Sequence, residues 1–268
     1  MTTARRLAFA LAATGLSQPA LAAGDLLVAP TRIVLEGGRG TEVILNNVGN
    51  TPATYRISLE LRRMTADGKL EEVVTGSESE KEKATLAMVS YAPRRVSLPP
   101  NQPQVIRIGA RIAPDMPDGE YRAHMLFRAV PDAQPAVATG PREGVSIALI
   151  PIYGVTIPVI VRKGALKATA AISNLRLERS EGQTALAFNL ARSGDRSVYG
   201  RLRVIKAGAA KPVYEVRGIA VYAELGARTV ALPLPPEVAA AMTGPVTVQY
   251  LEDNDTGGLI AEAQGVLR

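Results

Sequence analysis

The chain has 268 residues, a formal net charge of +6, 47% apolar residues, no cysteine and a single histidine, His124. Disulfides, thiolate nucleophiles and cysteine-ligated zinc are therefore excluded. A histidine-based catalytic triad lacks the partners it needs, and a multi-histidine metal site is ruled out. The basic residues are scattered along the chain, which disfavours a nucleic-acid partner. We expect no catalytic residues, no metal and no cofactor.

The first 22 residues have the features of a secretory signal peptide. Arg5 and Arg6 form a positive start, residues 7–16 are apolar, and Ala20-Leu21-Ala22 is a small-x-small cleavage site. An apolar stretch of about ten residues is too short for a bilayer span, which needs roughly 20. We therefore predict that residues 1–22 are removed and that the secreted chain, which begins near Ala23, has no membrane span.

An alternation of apolar and polar residues, typical of half-buried β-strands, dominates the rest of the chain. Before Lys163 it predicts six or seven short strands separated by turn signals, including residues 42–45, 55–61, 96–98, 105–108, 124–128 and 146–161. The charged stretch Ser77 to Lys83 is interpreted as a solvated loop, because both signs of charge alternate there. This spacing of strands favours a β-sandwich.

The strand pattern begins again after Lys163. The second set of strands is expected at residues 170–177, 184–191, 199–205, 228–232, 246–251 and 259–266. Only the segment Pro235 to Met242 is a candidate for a short helix. We therefore predict an all-β protein of two sandwich domains, which cover residues 23–163 and 164–268.

Several motifs resemble those of a known family. They lie in segments 28–35, 45–52, 118–122 and 254–259, and the most specific one covers residues 91–100 and 104–108. In these segments the chain resembles the periplasmic pilus-assembly chaperones of the chaperone–usher pathway, the PapD-like chaperones. The resemblance spans nearly the whole mature chain, closely in the first domain and loosely in the second. It implies two immunoglobulin-like domains in a boomerang arrangement, a periplasmic location and no enzymatic activity.

The same resemblance implies partners and a mechanism. Such a chaperone binds secreted pilus or fimbrial subunits by donor-strand complementation, in which it lends the subunit a missing strand. It then delivers the subunit to an outer-membrane usher.

Arg32 corresponds to a basic residue that, in the family, holds the terminal carboxylate of a subunit in the cleft between the domains. An arginine suits that role because its planar fork can make two parallel charge-assisted bonds. The family's second anchor is a lysine four residues before an arginine. Arg162 fits that arginine, but the lysine position is occupied by Pro158. Three alternatives follow: Arg32 acts alone, Lys163 reaches in, or the subunit end is held differently.

The apolar segment from Ser146 to Val161 corresponds to the strand that the family lends to its subunits. It contains Pro151 and Pro158, which lack an N–H and so favour an edge strand over a central one. An apolar edge strand needs a partner to cover it. We expect the face of Ile150 and Ile152 to dock the subunit, unless a bulge near Gly154 turns Ile147 and Leu149 outward instead.

Three charged residues match an ionic cluster that in the family bridges the two domains: Glu120, Arg162 and Asp255. If the cluster is exposed, its contribution to stability is small, and it matters chiefly for the angle between the domains. The lone His124 lies in a predicted strand, where a structural role is expected.

Two other classes of function fit the sequence less well. A secreted immunoglobulin-like fibre subunit or adhesin would share the fold, but such proteins usually carry an N-terminal donor extension and often a disulfide. An extracytoplasmic hydrolytic or binding module is disfavoured, because no nucleophile, base and orienting group occur in a motif context.

Overall fold

The computed structural model describes residues 26–37, 39–131, 152–180 and 182–268. The predicted signal peptide and three of the proposed docking residues, Ile147, Leu149 and Ile150, lie outside the described residues. Within the described part of the chain, no helix is long and apolar enough to cross a membrane.

The described residues of the first domain form eleven strands and one helix. In chain order these are β1 (Leu26–Ala29), β2 (Ile33–Glu36), β3 (Thr41–Asn47), β4 (Ala53–Glu60), β5 (Arg62–Met64), β6 (Leu70–Glu72), α1 (Glu80–Met88), β7 (Val89–Ala92), β8 (Arg95–Leu98), β9 (Pro103–Ala110), β10 (Gly119–Val130) and β11 (Gly154–Lys163). One sheet has the strand order β1-β3-β9-β7 and the other β2-β11-β10-β4-β8, while β5 and β6 form a separate hairpin. The two large sheets face each other across an apolar core.

Alternate residues of the strands supply that core, as the period-2 pattern predicts. Val43, Ile106, Phe127 and Val159, from both sheets, are fully buried in it. At the entrance to β10, the Tyr121 hydroxyl donates to the carbonyl of Pro117 at 2.6 Å. A tyrosine near the start of such a strand, with its hydroxyl hydrogen-bonded to the backbone a few residues upstream, is a hallmark of immunoglobulin-type sandwiches.

In the second domain, the part of the chain that the structure describes contains seven strands and one short helix. They are β12 (Ala168–Ser180), β13 (Gln183–Gly194), β14 (Val198–Lys206), β15 (Tyr214–Val221), β16 (Ala227–Leu234), α2 (Pro236–Ala241), β17 (Gly244–Glu252) and β18 (Leu259–Leu267). The sheets have the orders β12-β13-β16 and β15-β14-β17-β18. Phe188, Leu202 and Tyr250 are fully buried between them. The structure thus confirms the all-β fold of two sandwiches and the short helix predicted near residue 236.

One local prediction is wrong. The stretch Ser77 to Lys83, interpreted as a solvated loop, contains the start of α1. The Ser79 side chain accepts a hydrogen bond from the Glu82 N–H, and the Glu82 carboxylate accepts one from the Ser79 N–H, so that the two form a capping box. The alternating charges fall on the exposed first turn of this helix.

Candidate functional site

Arg32 lies at the junction of the two domains. It directly precedes β2 of the first domain, and its guanidinium contacts two residues of the second. Its Nη2 donates to the Ser197 hydroxyl at 3.4 Å, and its Cζ lies 4.4 Å from the centroid of the Tyr199 ring. Burial lowers the pKa of Arg32 from its ordinary value. The second domain therefore fixes where this cation lies.

The guanidinium of Arg32 is poorly paired for a buried cation. Among the described residues, no carboxylate lies within ion-pair distance of it, and its buried Nη1 has no hydrogen-bond partner. The one hydrogen bond it donates, to Ser197, is long. A desolvated donor without an acceptor is costly. A carboxylate that reached Arg32 would therefore gain charge-assisted bonds without breaking an existing ion pair.

Beside Arg32, a second polar cluster joins the domains through Glu120. This carboxylate is only 3% exposed. It accepts hydrogen bonds from the Ser197 N–H at 3.1 Å, the Ser197 hydroxyl at 2.9 Å and Arg162 Nε at 3.0 Å. Arg162 also lies 3.6 Å from Glu36. The buried charge of Glu120 is thus well satisfied from both domains.

The structure corrects the expected membership of this cluster. It brings Glu120 and Arg162 together, but Asp255 is exposed in the turn between β17 and β18 and has no ion pair within the described chain. Ser197, and not Asp255, is the residue of the second domain that contacts this cluster. It can do so because a backbone N–H and a hydroxyl together supply two donors to the carboxylate, which an aspartate could not.

Lys163 does not reach toward Arg32 in this structure. Its ammonium group donates to the carbonyl of Pro114 at 2.7 Å and also to the carbonyl of Met116. Pro158, at the position expected for a second anchor, lies opposite His124 in the sheet. The geometry therefore does not support the alternative in which Lys163 serves as the second anchor.

Strand β11 has an open edge along its first half. It pairs with β10 over its whole length but with β2 only from Val159 to Arg162. The Ala129 N–H donates to the Tyr153 carbonyl at 2.9 Å, so the odd-numbered residues of β11 direct their backbone groups toward β10. Gly154 and Thr156 then direct theirs away from β10, and Pro158 has no N–H to offer. Over residues 154–158, no described strand covers this edge.

The described part of the proposed donor segment precedes this edge. The strand was predicted from Ser146; in the structure β11 begins at Gly154, while Ile152 and Tyr153 lie just before it and are 48% and 49% exposed. Two large apolar side chains are thus left in contact with solvent beside an unpaired strand edge.

Arg32 lies where the coverage by β2 stops. Val159 pairs with Ile33 in the parallel register of β11 and β2. In the same register, the residue before Ile33, Arg32, lies beside the residue before Val159, Pro158, which is the last residue of the uncovered edge. The underpaired cation and the open edge therefore form one continuous feature.

His124 is almost fully buried between the domains, with its ring 6.3 Å from that of Tyr222 in an edge-to-face arrangement. Neither ring nitrogen has a hydrogen-bond partner among the described residues. Burial, followed by the positive charges of Arg122 and Arg62, lowers the pKa of His124 to about 3. The imidazole is therefore neutral near pH 7 and makes no hydrogen bond to a described residue, in line with the structural role expected for it.

Sequence reasoning missed Ser197 and Tyr199. Ser197 directly precedes β14 and Tyr199 is the second residue of that strand, and nothing in the local sequence pattern distinguishes either of them. Their importance arises only from the docking of the second domain onto Arg32 and Glu120.

Comparisons with known proteins give structural neighbours only. No protein-family model matches the chain, and a search of curated proteins finds no match. Among solved structures, the chain is similar to the chaperone DraB of E. coli, with 15% identity and a TM-score of 0.45 over 91% of this chain and 97% of DraB.

Two similar structures are complexes. One holds the chaperone CsuC and the tip adhesion subunit CsuE of Acinetobacter baumannii, with 16% identity, a TM-score of 0.44 and coverage of 90% of this chain and 97% of that one. The other holds the SafB chaperone and the SafA pilin of Salmonella enterica, with 19% identity, a TM-score of 0.43 and coverage of 91% and 97%.

Proposed function

We propose that the protein is a non-enzymatic periplasmic chaperone that binds secreted pilus or fimbrial subunits by donor-strand complementation and delivers them to an outer-membrane usher. The observation that carries the proposal is the junction of Arg32 with the open edge of β11. An unpaired strand edge recruits an extended segment of another chain through main-chain hydrogen bonds. No observation on the described residues favours the alternative, a secreted fibre subunit or adhesin.

The direction of the guest strand follows from β2. An incoming strand that continues the line of β2 along residues 154–158 runs parallel to β11, as β2 does. Its carboxyl end then points toward Arg32. The terminal carboxylate would satisfy the guanidinium, which lacks an acidic partner among the described residues. We propose that Arg32 is the only charged anchor, because Lys163 and Arg162 are engaged elsewhere.

The apolar docking residues are assigned by the same proposal. We propose that Ile152, an exposed isoleucine just before β11, docks the subunit together with Ile150, with Ile147 and Leu149 as the alternative face. We propose that the boundary between the two domains lies after Lys163. We also propose that Glu120, Arg162 and Ser197 shape the cleft around Arg32.

The proposal is tested by co-expression in the periplasm. Arg32→Ala should retain the melting temperature of the wild type to within a few degrees, yet recover far less of a co-expressed pilus subunit. Arg107→Ala is a matched control, because Arg107 is an exposed arginine of the same domain whose one ion pair to a described residue, Glu42, is 3.4 Å long. Normal subunit recovery by Arg32→Ala would contradict the proposal, as would equal losses in both variants.

A further inference from the structure

The β5–β6 hairpin of the first domain reaches across to the second. It belongs to neither large sheet of its own domain. Its turn is closed internally: the Thr65 N–H donates to the Lys69 carbonyl at 2.9 Å, and the Gly68 N–H donates to the Thr65 carbonyl at 2.8 Å. The hairpin is therefore a small preformed unit rather than a loose loop.

The tip of the hairpin is bonded to β16. The Thr229 N–H donates to the Ala66 carbonyl at 2.8 Å, and Arg228 Nη1 donates to the Gly68 carbonyl at 3.4 Å. The same nitrogen lies 4.0 Å from the Met64 sulfur. Two consecutive residues of β16 thus hold the tip, one through its backbone and one through its side chain.

Strand β5 of the hairpin is also fixed through Glu224 of the second domain. This carboxylate accepts from the Met64 N–H at 3.0 Å and from Arg122 Nη2 at 2.5 Å. Arg122 Nη2 also donates to the Arg62 carbonyl at 2.8 Å. The Arg122 guanidinium stacks on Tyr222, with its Cζ 3.6 Å from the ring centroid.

An apolar cluster lies beneath these polar contacts. Met64 is buried against Ile160 of β11 and against Ala220 and Tyr222 of the second domain. Hairpin, first sandwich and second sandwich therefore meet in one core, separate from the core inside each domain. Burial of these side chains is favourable only while the two domains stay together.

Gly68 is the tightest point of this contact. Its φ is +84°, and a Cβ added there would lie 2.0 Å from Arg228 Nη1 and 2.8 Å from Arg228 Cζ. A side chain at this position requires the guanidinium of Arg228, the end of a flexible side chain, to move away, and its hydrogen bond to the Gly68 carbonyl is then lost. Gly76, with φ +90°, offers a comparison, because a Cβ added there would meet nothing within 4 Å.

We propose that the β5–β6 hairpin is a clamp that holds the second domain against the first and fixes the angle between them. The clamp acts in addition to the cluster of Glu120, Arg162 and Ser197. It makes the free protein a single rigid body. This inference concerns the free chain and does not depend on the proposed function.

The test compares Gly68→Ala with Gly76→Ala in the full secreted chain, by differential scanning calorimetry and small-angle X-ray scattering. Both substitutions place alanine at a positive φ, so both carry a similar backbone strain. Wild type and Gly76→Ala should each unfold in one calorimetric transition and give the same maximum dimension. Gly68→Ala should split the transition in two and increase the maximum dimension.

A second variant covers the case in which Gly68→Ala does not fold. Arg228→Ala leaves the turn glycine intact but removes the side chain that binds Gly68 and Met64, and it should also split the transition. In Gly68→Ala/Arg228→Ala the two effects should not add, since both break one contact. The inference is overturned if Gly68→Ala behaves as Gly76→Ala does, if Arg228→Ala keeps one transition, if the two effects add, or if the wild type already unfolds in two independent steps.

Discussion

Ser197 of the second domain donates both its backbone N–H and its hydroxyl to the buried carboxylate of Glu120 in the first domain, at 3.1 and 2.9 Å. The same hydroxyl accepts the hydrogen bond of Arg32. A single serine therefore links the ionic cluster between the domains to the proposed subunit anchor.

Substitution of Ser197 should lower the free energy of unfolding, although the side chain that it removes is small. In Ser197→Ala the Glu120 carboxylate keeps the backbone N–H and Arg162 but loses one donor while buried. We expect a loss of about 1–3 kcal/mol in the free energy of unfolding, measured by urea denaturation. Ser180→Ala, at an exposed position at the end of β12, should change it by less than about 0.5 kcal/mol. Equal effects of the two substitutions would show that the bond to Glu120 contributes nothing.

His124 should make the protein sensitive to acid. Its pKa is about 3 in the folded protein, against an ordinary value of 6.5. Above pH 6.5 the imidazole is neutral in both states. Between about pH 6.5 and 3 the unfolded chain binds a proton that the folded chain does not. The free energy of unfolding should therefore fall with decreasing pH, by up to about 1.4 kcal/mol per pH unit from this group.

The variant His124→Phe isolates this contribution. It keeps an aromatic ring against Tyr222 and breaks no hydrogen bond, because neither imidazole nitrogen has a partner in the described chain. The difference in unfolding free energy between wild type and variant should change steadily from pH 7 to pH 4, in favour of the variant. A constant difference over that range would mean that His124 titrates normally in the folded protein.

The cap of α1 provides a prediction about local stability. Ser79→Ala removes the side-chain acceptor of the Glu82 N–H. It should cost about 1 kcal/mol, measured by thermal or urea unfolding. Glu82 also holds Arg63, with a distance of 2.7 Å between Oε2 and Nη2. Glu82→Gln keeps a side chain that can cap the helix but weakens the ion pair with Arg63. It should lower the free energy of unfolding by less than the double substitution Ser79→Ala/Glu82→Ala. No effect of Ser79→Ala would argue that the helix does not depend on its cap.

The exposed isoleucine before β11 separates binding from folding. Ile152→Glu should leave the unfolding free energy of the free protein nearly unchanged, because the side chain is already 48% exposed. Binding of a subunit should weaken by roughly ten- to a hundredfold, the equivalent of about 1.5–3 kcal/mol for one lost apolar anchor.

Val266→Glu is the matched control for this experiment, since Val266 is 59% exposed on β18 of the second domain. It should bind subunits normally in the same pull-down. Unfolding of Ile152→Glu would mean that the residue belongs to the core of the protein. Normal binding by a stable Ile152→Glu would direct attention to the alternative face of Ile147 and Leu149.

Much of the fold could be predicted because each sandwich strand has one buried face. The period-2 alternation predicted most strands of both domains but missed β7 (Val89–Ala92) and β15 (Tyr214–Val221), and the candidate helix from Pro235 to Met242 corresponds to α2. Two further elements had sequence signals that the alternation obscured. Ser79 and Glu82 have the spacing of a capping box, and Asp67-Gly68 between short alternating segments is a typical hairpin turn.

The composition of the site could be predicted only in part. Arg32, Glu120 and Arg162 were identified from motifs that lie in the first domain. Ser197 replaces Asp255 because of how the second domain docks, and no local pattern in β14 or in the turn after β17 encodes that docking. The pairing of β2 with only half of β11 likewise depends on a contact between distant segments.

The most direct test of the account uses a peptide with the sequence of a subunit's carboxyl-terminal strand, prepared as the free acid and as the terminal amide. The wild-type protein should bind the acid at least about tenfold more tightly, because charge-assisted bonds to Arg32 contribute about 1.5–3 kcal/mol. Arg32→Ala should bind both forms equally, while Arg107→Ala should keep the preference. A wild-type protein that does not distinguish acid from amide, or an Arg32→Ala variant that still does, would contradict the claim that Arg32 anchors the end of a guest strand.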